Sequence, residues 1–156
     1  FLTEHGISSY GELESKLNAV SARRDTAHAE IKRIESRSAE LTLVMKHAGT
    51  YRQLKPLYDR YRKSNDKEKF LRGHESEIVL FEAAARELKR LGAVPLPTTE
   101  SMKTELANLN AEKERLLAEY KAARTEAQEY DIVKQNVDAL LAVPKEQEQQ
   151  RRHELE

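Results

Sequence analysis

The five histidines and the many carboxylates are the side chains of this chain that could support acid–base or metal chemistry. The carboxylates alternate with basic residues, as on the solvated faces of helices. No histidine lies two or four residues from another, which is the spacing that lets one helix or strand hold a metal ion. We therefore expect no catalytic residue, no metal and no cofactor. The histidines are His5, His28, His47, His74 and His153.

Other signatures of enzymes are also missing from the sequence. It has no glycine-rich phosphate loop, no dinucleotide fingerprint and no nucleophile elbow. The lack of cysteine excludes disulfides, thiolate nucleophiles and cysteine-based zinc sites, and it fits a reducing compartment such as the cytoplasm. No run of about 18 apolar residues could span a membrane. These observations favour a protein that docks or spaces other molecules over an enzyme.

One patch combines basic and aromatic residues. Positions 51–72 hold eight basic and three acidic side chains, with four aromatic rings among them. Basic side chains neutralise a phosphate backbone, and aromatic rings stack on unpaired bases. The net charge is zero for the whole chain but +4 for residues 51–99 and −4 for residues 100–156. The candidate nucleic-acid contacts are Arg52, Lys55, Arg60, Arg62, Lys63, Lys67, Lys69 and Arg72.

The same patch has a second interpretation, which stays open. Tyr51, Leu54, Tyr58 and Tyr61 recur at the spacing of a buried helical stripe. In that case the rings pack inside a helical segment and the basic residues form its solvated rim. A protein partner is a third possibility for this surface.

Two heptad ladders flank the patch, and each has eleven rungs. The first runs from Leu13 to Ala48 and the second from Leu106 to Leu141, with gaps that alternate between three and four residues. This spacing is typical of helices that share a seam. The apolar positions of a heptad repeat are called a and d. If the two helices run antiparallel with Leu13 opposite Leu141, each a position of one ladder lies opposite a d position of the other. We therefore predict an all-α fold, a long antiparallel two-helix coiled coil with a small helical tip.

Capping residues, glycines and prolines predict the segment boundaries. Residues 1–7 are typical of the end of a preceding helix, which would make the chain a fragment of a longer protein. The coiled coil spans residues 8–142, with arms at about 9–48 and 98–142 and a tip at about 49–97. Pro56 predicts a bend where the first long helix continues into the tip, and Gly73 predicts a break in the shorter helix that follows. Pro144 and the polar run after it predict a flexible tail over 143–156, whose last two residues we interpret as a cloning remnant.

Four segments, in order along the chain, resemble one known family. They are FLTEHGISSYGELESKL, KFLRGHESEIVLFEAAARELKRLG, LPTTESMKTELANLNAEKERLLAEYKAA and NVDALL. They are similar to the region C-terminal to the catalytic domain in Firmicutes-type relaxase and mobilization nucleases. The resemblance implies a piece of a plasmid or transposon mobilization protein, an enzyme that nicks DNA with a tyrosine nucleophile and a histidine-bound metal.

No catalytic residue of that family carries over to this chain. The histidine cluster is missing, and the tyrosines from Tyr51 to Tyr130 lie in helical stripes. The resemblance therefore implies a non-catalytic helical region that docks DNA or a protein of the transfer machinery, with self-association through the coiled coil. The alternative is a purely structural spacer or dimerisation arm with no nucleic-acid contact.

Overall fold

The computed structural model describes residues 9–155, and it describes side chains for residues 9–142. The segment assigned above to the end of a preceding helix, residues 1–7, lies outside this range. The described residues form three helices and no strand: α1 (Tyr10–Lys63), α2 (Lys67–Arg90) and α3 (Thr99–Leu155). The all-α prediction is confirmed.

Each helix begins at a capping side chain. Ser9 Oγ, Asp66 Oδ1 and Thr98 Oγ1 each accept a hydrogen bond of 3.1–3.2 Å from the amide three residues ahead. The first amides of a helix have no partner within the helix, so these bonds stabilise its first turn. α2 ends at Arg90, and the chain turns away two residues later at Gly92, whose φ of 71° lies in the left-handed region that glycine adopts without strain. The sequence placed the starts of the two arms at about residues 9 and 98, and the caps at Ser9 and Thr98 lie at these positions.

Two prolines lie inside helices that were expected to bend or end near them. α1 continues through Pro56 to Lys63, where Leu57 is buried and the neighbouring tyrosines pack against α2. α3 continues through Pro144 to Leu155, so the predicted helix end near residue 142 is wrong. The residues that follow Pro144 are mostly Glu, Gln, Lys and Arg, which are strong helix formers. At Pro56 the packing of neighbouring residues offsets the hydrogen bond that proline cannot make.

The helix break predicted at Gly73 lies one residue further on. His74 has φ −137° and ψ 27°, which is not helical, although residues on both sides belong to α2. A glycine raises the conformational cost of a helix, so the neighbourhood of Gly73 is where a departure is easiest.

The described residues fall into two compact units, whose boundary lies inside the predicted arms. Unit 1 combines α1 up to Ile31 with α3 from Glu114 onward, and unit 2 spans Lys32–Lys113. In unit 1 the two helices run antiparallel, because the positions that touch rise along α1 as they fall along α3. The touching pairs are Tyr10–Asp138, Glu14–Lys134, Arg23–Glu126 and His28–Tyr120. The buried core of unit 1 includes Leu13, Val20, Ala123, Ala127 and Tyr130, with Leu17, Val133 and Val137 packed against it.

The contacts of unit 1 correct the predicted register. In that register Tyr10 faces Pro144, but its hydroxyl donates a 2.7 Å hydrogen bond to Asp138, six residues earlier. Leu141, the predicted partner of Leu13, is 58% exposed. The observed and predicted registers thus differ by about one heptad. If one helix moves along the other by seven residues, every a and d position meets the same kind of partner again. The hydrophobic pattern therefore fixes which faces meet but not the offset along the helices.

Unit 2 packs α2 against α1, and its buried side chains come from all three helices. The α1 and α3 segments again pair in antiparallel order, with Lys113 beside Glu35 and Glu105 beside Arg37. The buried side chains of unit 2 include Ile34, Leu41, Val44 and Ala48 on α1, Ile78, Phe81, Ala84 and Leu88 on α2, and Met102 and Leu109 on α3.

Candidate nucleic-acid interface

The eight predicted contact residues all lie in unit 2, and all are exposed. Five are on the last part of α1 and three on the first turns of α2. The turn between these helices is closed by the Ser64 amide, which donates to the Tyr61 carbonyl at 3.2 Å, and by the Asp66 amide, which donates to Ser64 Oγ at 3.3 Å. The α1 residues are Arg52, Lys55, Arg60, Arg62 and Lys63, and the α2 residues are Lys67, Lys69 and Arg72.

The aromatic rings of this region pack against one another. Phe81 of α2 is 5% exposed and is stacked between Tyr51 and Tyr58 of α1, with ring centroids 4.8 and 4.3 Å apart. Further ring contacts of 4.8–6.0 Å extend the series beyond Tyr58. Aromatic pairs of this kind contribute about 0.5–1.5 kcal/mol beyond the area they bury. We call this series the aromatic column; its members are Tyr51, Phe81, Tyr58, Tyr61, Phe70 and His74.

The aromatic column changes the chemistry expected of this surface. Base stacking needs a ring face that is open to solvent. The faces of Phe81 are covered by Tyr51 and Tyr58, and each of the four rings noted in the sequence touches another ring. The rings therefore join α1 to α2, as in the packed interpretation, and what remains for an external ligand is the surrounding positive charge.

Three of the eight basic residues are held by groups of unit 2. The Arg52 guanidinium donates to Thr99 Oγ1 at 2.8 Å and to the Pro97 carbonyl, which ties α1 to the start of α3. Lys55 forms an ion pair with Asp59 one turn further along, at 3.2 Å. Arg72 Nε donates to the Glu68 carbonyl at 3.5 Å.

The other five basic side chains have no such partner. Within residues 9–142, the side chains of Arg60, Arg62, Lys63, Lys67 and Lys69 make no hydrogen bond or ion pair. The first three lie in the last turn of α1, where a cation interacts favourably with the helix dipole. Lys67 is the first residue of α2, and the positive end of the helix dipole there disfavours a cation. The result is a local excess of uncompensated positive charge beside the turn.

A groove between α1 and α2 lies beside these cations. Its volume is about 470 Å³, and its lining includes three rings of the aromatic column, Tyr51, Tyr58 and Phe81, and charged residues from both helices. Arg86 is part of this lining and was not among the residues predicted from the sequence. It lies 24 positions from Arg62, and no local pattern links the two, so only the packing of α2 on α1 reveals it. The lining residues are Tyr51, Lys55, Tyr58, Asp59, Arg62, Phe81, Glu82, Ala85 and Arg86.

A smaller cavity of about 280 Å³ lies at the start of α2, next to His74. His74 Nδ1 is buried and has no hydrogen-bond partner, and Glu77 Oε1 is 3.7 Å away. Among the described residues, no three His, Asp or Glu side chains are grouped in a way that could hold a metal ion.

Comparison with known protein families, curated proteins and solved structures finds no match for this chain. The resemblance to relaxases therefore stays a prediction. None of the described helices combines the length and apolar character that crossing a membrane requires.

Proposed function

We propose that this chain is a non-catalytic helical region that docks nucleic acid through the exposed cations at the α1–α2 turn. One observation supports this most directly. Arg60, Arg62, Lys63 and Lys67 are adjacent, exposed and without an acidic partner in the described part of the chain. Phosphate groups are the natural counterions for such a cluster, because binding them releases the ions condensed on a nucleic acid.

The contact in this proposal is made to the backbone, not to the bases. The aromatic column has its rings engaged with one another, which leaves few faces for stacking. Contacts to phosphates position a protein on a nucleic acid without reading its sequence. We therefore expect strong dependence on salt and little dependence on base sequence.

The parent protein in this proposal is a DNA mobilization relaxase, and the helices are its accessory region. The support is the ordered resemblance of four segments and the lack of a histidine cluster. We further propose that the heptad ladders form an antiparallel coiled coil, supported by the contact order inside each unit. Such a region would act in the cytoplasm and would bring DNA or a transfer-machinery protein to the enzyme.

Fluorescence anisotropy with labelled duplex and single-stranded DNA tests the proposal, at about 50 and about 200 mM salt. In the test variant Arg60, Arg62 and Lys63 are all changed to Glu. We expect at least about a tenfold loss of affinity. The salt slope, which is the slope of the logarithm of the binding constant against the logarithm of the salt concentration, should decrease in magnitude by about two to three, because each phosphate contact contributes about 0.9 to it.

The control variant reverses three exposed charges of unit 1, Arg115, Lys121 and Arg124, so that the total charge changes equally. It should bind close to the level of the unchanged chain. Absence of binding at low salt would refute the proposal. Equal losses in the two variants would mean that only net charge matters and would refute the assigned surface.

A structural spacer or dimerisation arm is the second candidate, and one observation favours it. Ile132, Leu140 and Leu141 of α3 are large apolar side chains that are 58%, 73% and 58% exposed. A second copy of the chain would cover them. Light scattering over a range of concentrations should then give the mass of a dimer, and changing Leu140 and Leu141 to Ser should return the mass of a monomer.

A further inference from the structure

We propose that the groove between α1 and α2 binds one phosphodiester group of duplex nucleic acid, with Arg62 and Arg86 supplying one guanidinium each. This inference rests on the proposed function and names a site within it. Arg62 comes from the last turn of α1 and Arg86 from the second half of α2. Two guanidinium groups that line one groove can donate several hydrogen bonds to the oxygens of one phosphate.

Both arginines are available for an external anion. They are exposed, and neither makes a hydrogen bond or an ion pair with any residue of the described chain. This distinguishes Arg86 from Arg90, one turn further along α2, whose guanidinium binds Glu87 at 2.7 Å. The volume of about 470 Å³ is ample for a phosphate group.

The charge of the groove suits a phosphodiester better than a free phosphate. Lys55 and Asp59 form an ion pair and cancel. Among the remaining lining charges, Glu82 offsets one of the two arginines Arg62 and Arg86, which leaves one net positive charge. A phosphodiester carries one negative charge and neutralises this excess. The terminal phosphate of a nucleotide carries about two near pH 7 and would leave the groove negative.

The rings in the lining favour a backbone ligand over an inserted base. Phe81 is 5% exposed and is stacked with both Tyr51 and Tyr58, so a base cannot stack on that ring. The hydroxyls of the two tyrosines are hydrogen-bond donors of the kind that contact phosphate oxygens. A duplex presents its phosphates on the outside without unstacking any base, and it therefore fits this groove.

Arg86→Gln in the full chain tests the site, because it removes one positive charge from an exposed position. Binding of labelled duplex DNA is measured at two salt concentrations. We expect affinity to fall about fivefold to tenfold and the salt slope to fall by about one, as for one lost phosphate contact. Arg86→Lys should recover part of the affinity, because lysine keeps the charge but cannot form a bidentate contact. The matched control is Arg90→Gln, which should stay within about twofold of the unchanged chain.

The outcomes separate this inference from the function on which it rests. If the Arg60, Arg62 and Lys63 reversal weakens binding and Arg86→Gln does not, the groove is refuted and the proposed function stands. If the unchanged chain does not bind DNA, the proposed function itself is refuted. Adenosine monophosphate and inorganic phosphate serve as competitors. Displacement of duplex by either one at millimolar concentration, lost in Arg86→Gln, would assign the groove to a free phosphate and overturn the phosphodiester assignment.

Discussion

Basic side chains have different partners in unit 1 and at the α1–α2 turn. In unit 1 some of them reach across to the other helix, as Arg23 does to Glu126 at 3.8 Å and Lys134 to Glu14 at 3.9 Å. At the turn, Lys55 pairs only with Asp59 of its own helix, and several cations make no pair among the described residues. Ion pairs thus connect helices in unit 1, whereas adjacent cations without a pair among the described residues cluster beside the turn.

The difference shows what charge contributes in each region. Exposed ion pairs are worth about 0.2–1 kcal/mol, so they do not hold the helices of unit 1 together. A heptad repeat fits nearly as well after each slide of seven residues, so even a weak pair that forms at only one offset favours that offset. Near the turn, the aromatic column holds α2 against α1. Within the described part of the chain, the basic side chains there do not join the two helices, and in our proposal they bind an external ligand.

The largest expected effect concerns the aromatic column. Phe81→Ala should lower the free energy of unfolding by about 3–5 kcal/mol, since it empties a buried site between two rings. Urea unfolding followed by circular dichroism measures it. Val79→Ala changes a half-exposed residue of the same helix and should cost less than about 1 kcal/mol. Similar costs for the two variants would mean that the rings do not hold α2 on α1.

A smaller effect is expected from the ion pairs that join helices. Arg37 donates to both oxygens of Glu105, at 2.7 and 3.1 Å, and this carboxylate raises the pKa of the guanidinium. A double-mutant cycle with Arg37→Ala and Glu105→Ala should give a coupling of about 0.2–1 kcal/mol that declines in high salt. A coupling well above this range would show that ion pairs contribute as much as apolar packing to holding the helices together.

The smallest effect is a titration that reports the register of unit 1. The Tyr10 hydroxyl donates to Asp138, and this bond raises the pKa of Tyr10 from 10.0 to about 12. Because the folded pKa lies above the unfolded value, the stabilisation is complete below pH 10 and is lost as the pH rises toward 12.

Absorbance of the phenolate, compared between the unchanged chain and Tyr10→Phe, isolates this group. Asp138→Asn should return the pKa of Tyr10 toward its ordinary value, because the neutral amide does not repel the phenolate. If Tyr10 titrates normally in the unchanged chain, the pairing of Tyr10 with Asp138 is wrong, and the offset inferred for unit 1 is wrong with it.

The local sequence was sufficient for the all-α fold, for the starts of α1 and α3 and for the phase of the first ladder. Ser9, Thr98 and Gly92 mark helix boundaries through chemistry that acts within a few residues. The rungs of the first ladder, from Leu13 to Ala48, are all at least partly buried in the structure. Such patterns depend on the period of the helix and need no knowledge of distant residues.

Three features were decided by the tertiary structure alone. They are the offset between α1 and α3 along their axes, the partners of the aromatic rings, and the set of residues that line the groove. A heptad repeat is degenerate under a slide of seven residues, so the pairing of Tyr10 with Asp138 could not follow from the repeat. The sequence left open whether Tyr58 stacks on a base or on another ring, and the approach of Phe81 decided it. Arg86 joined Arg62 for the same reason, because contacts between residues far apart in the chain form only when α2 packs on α1.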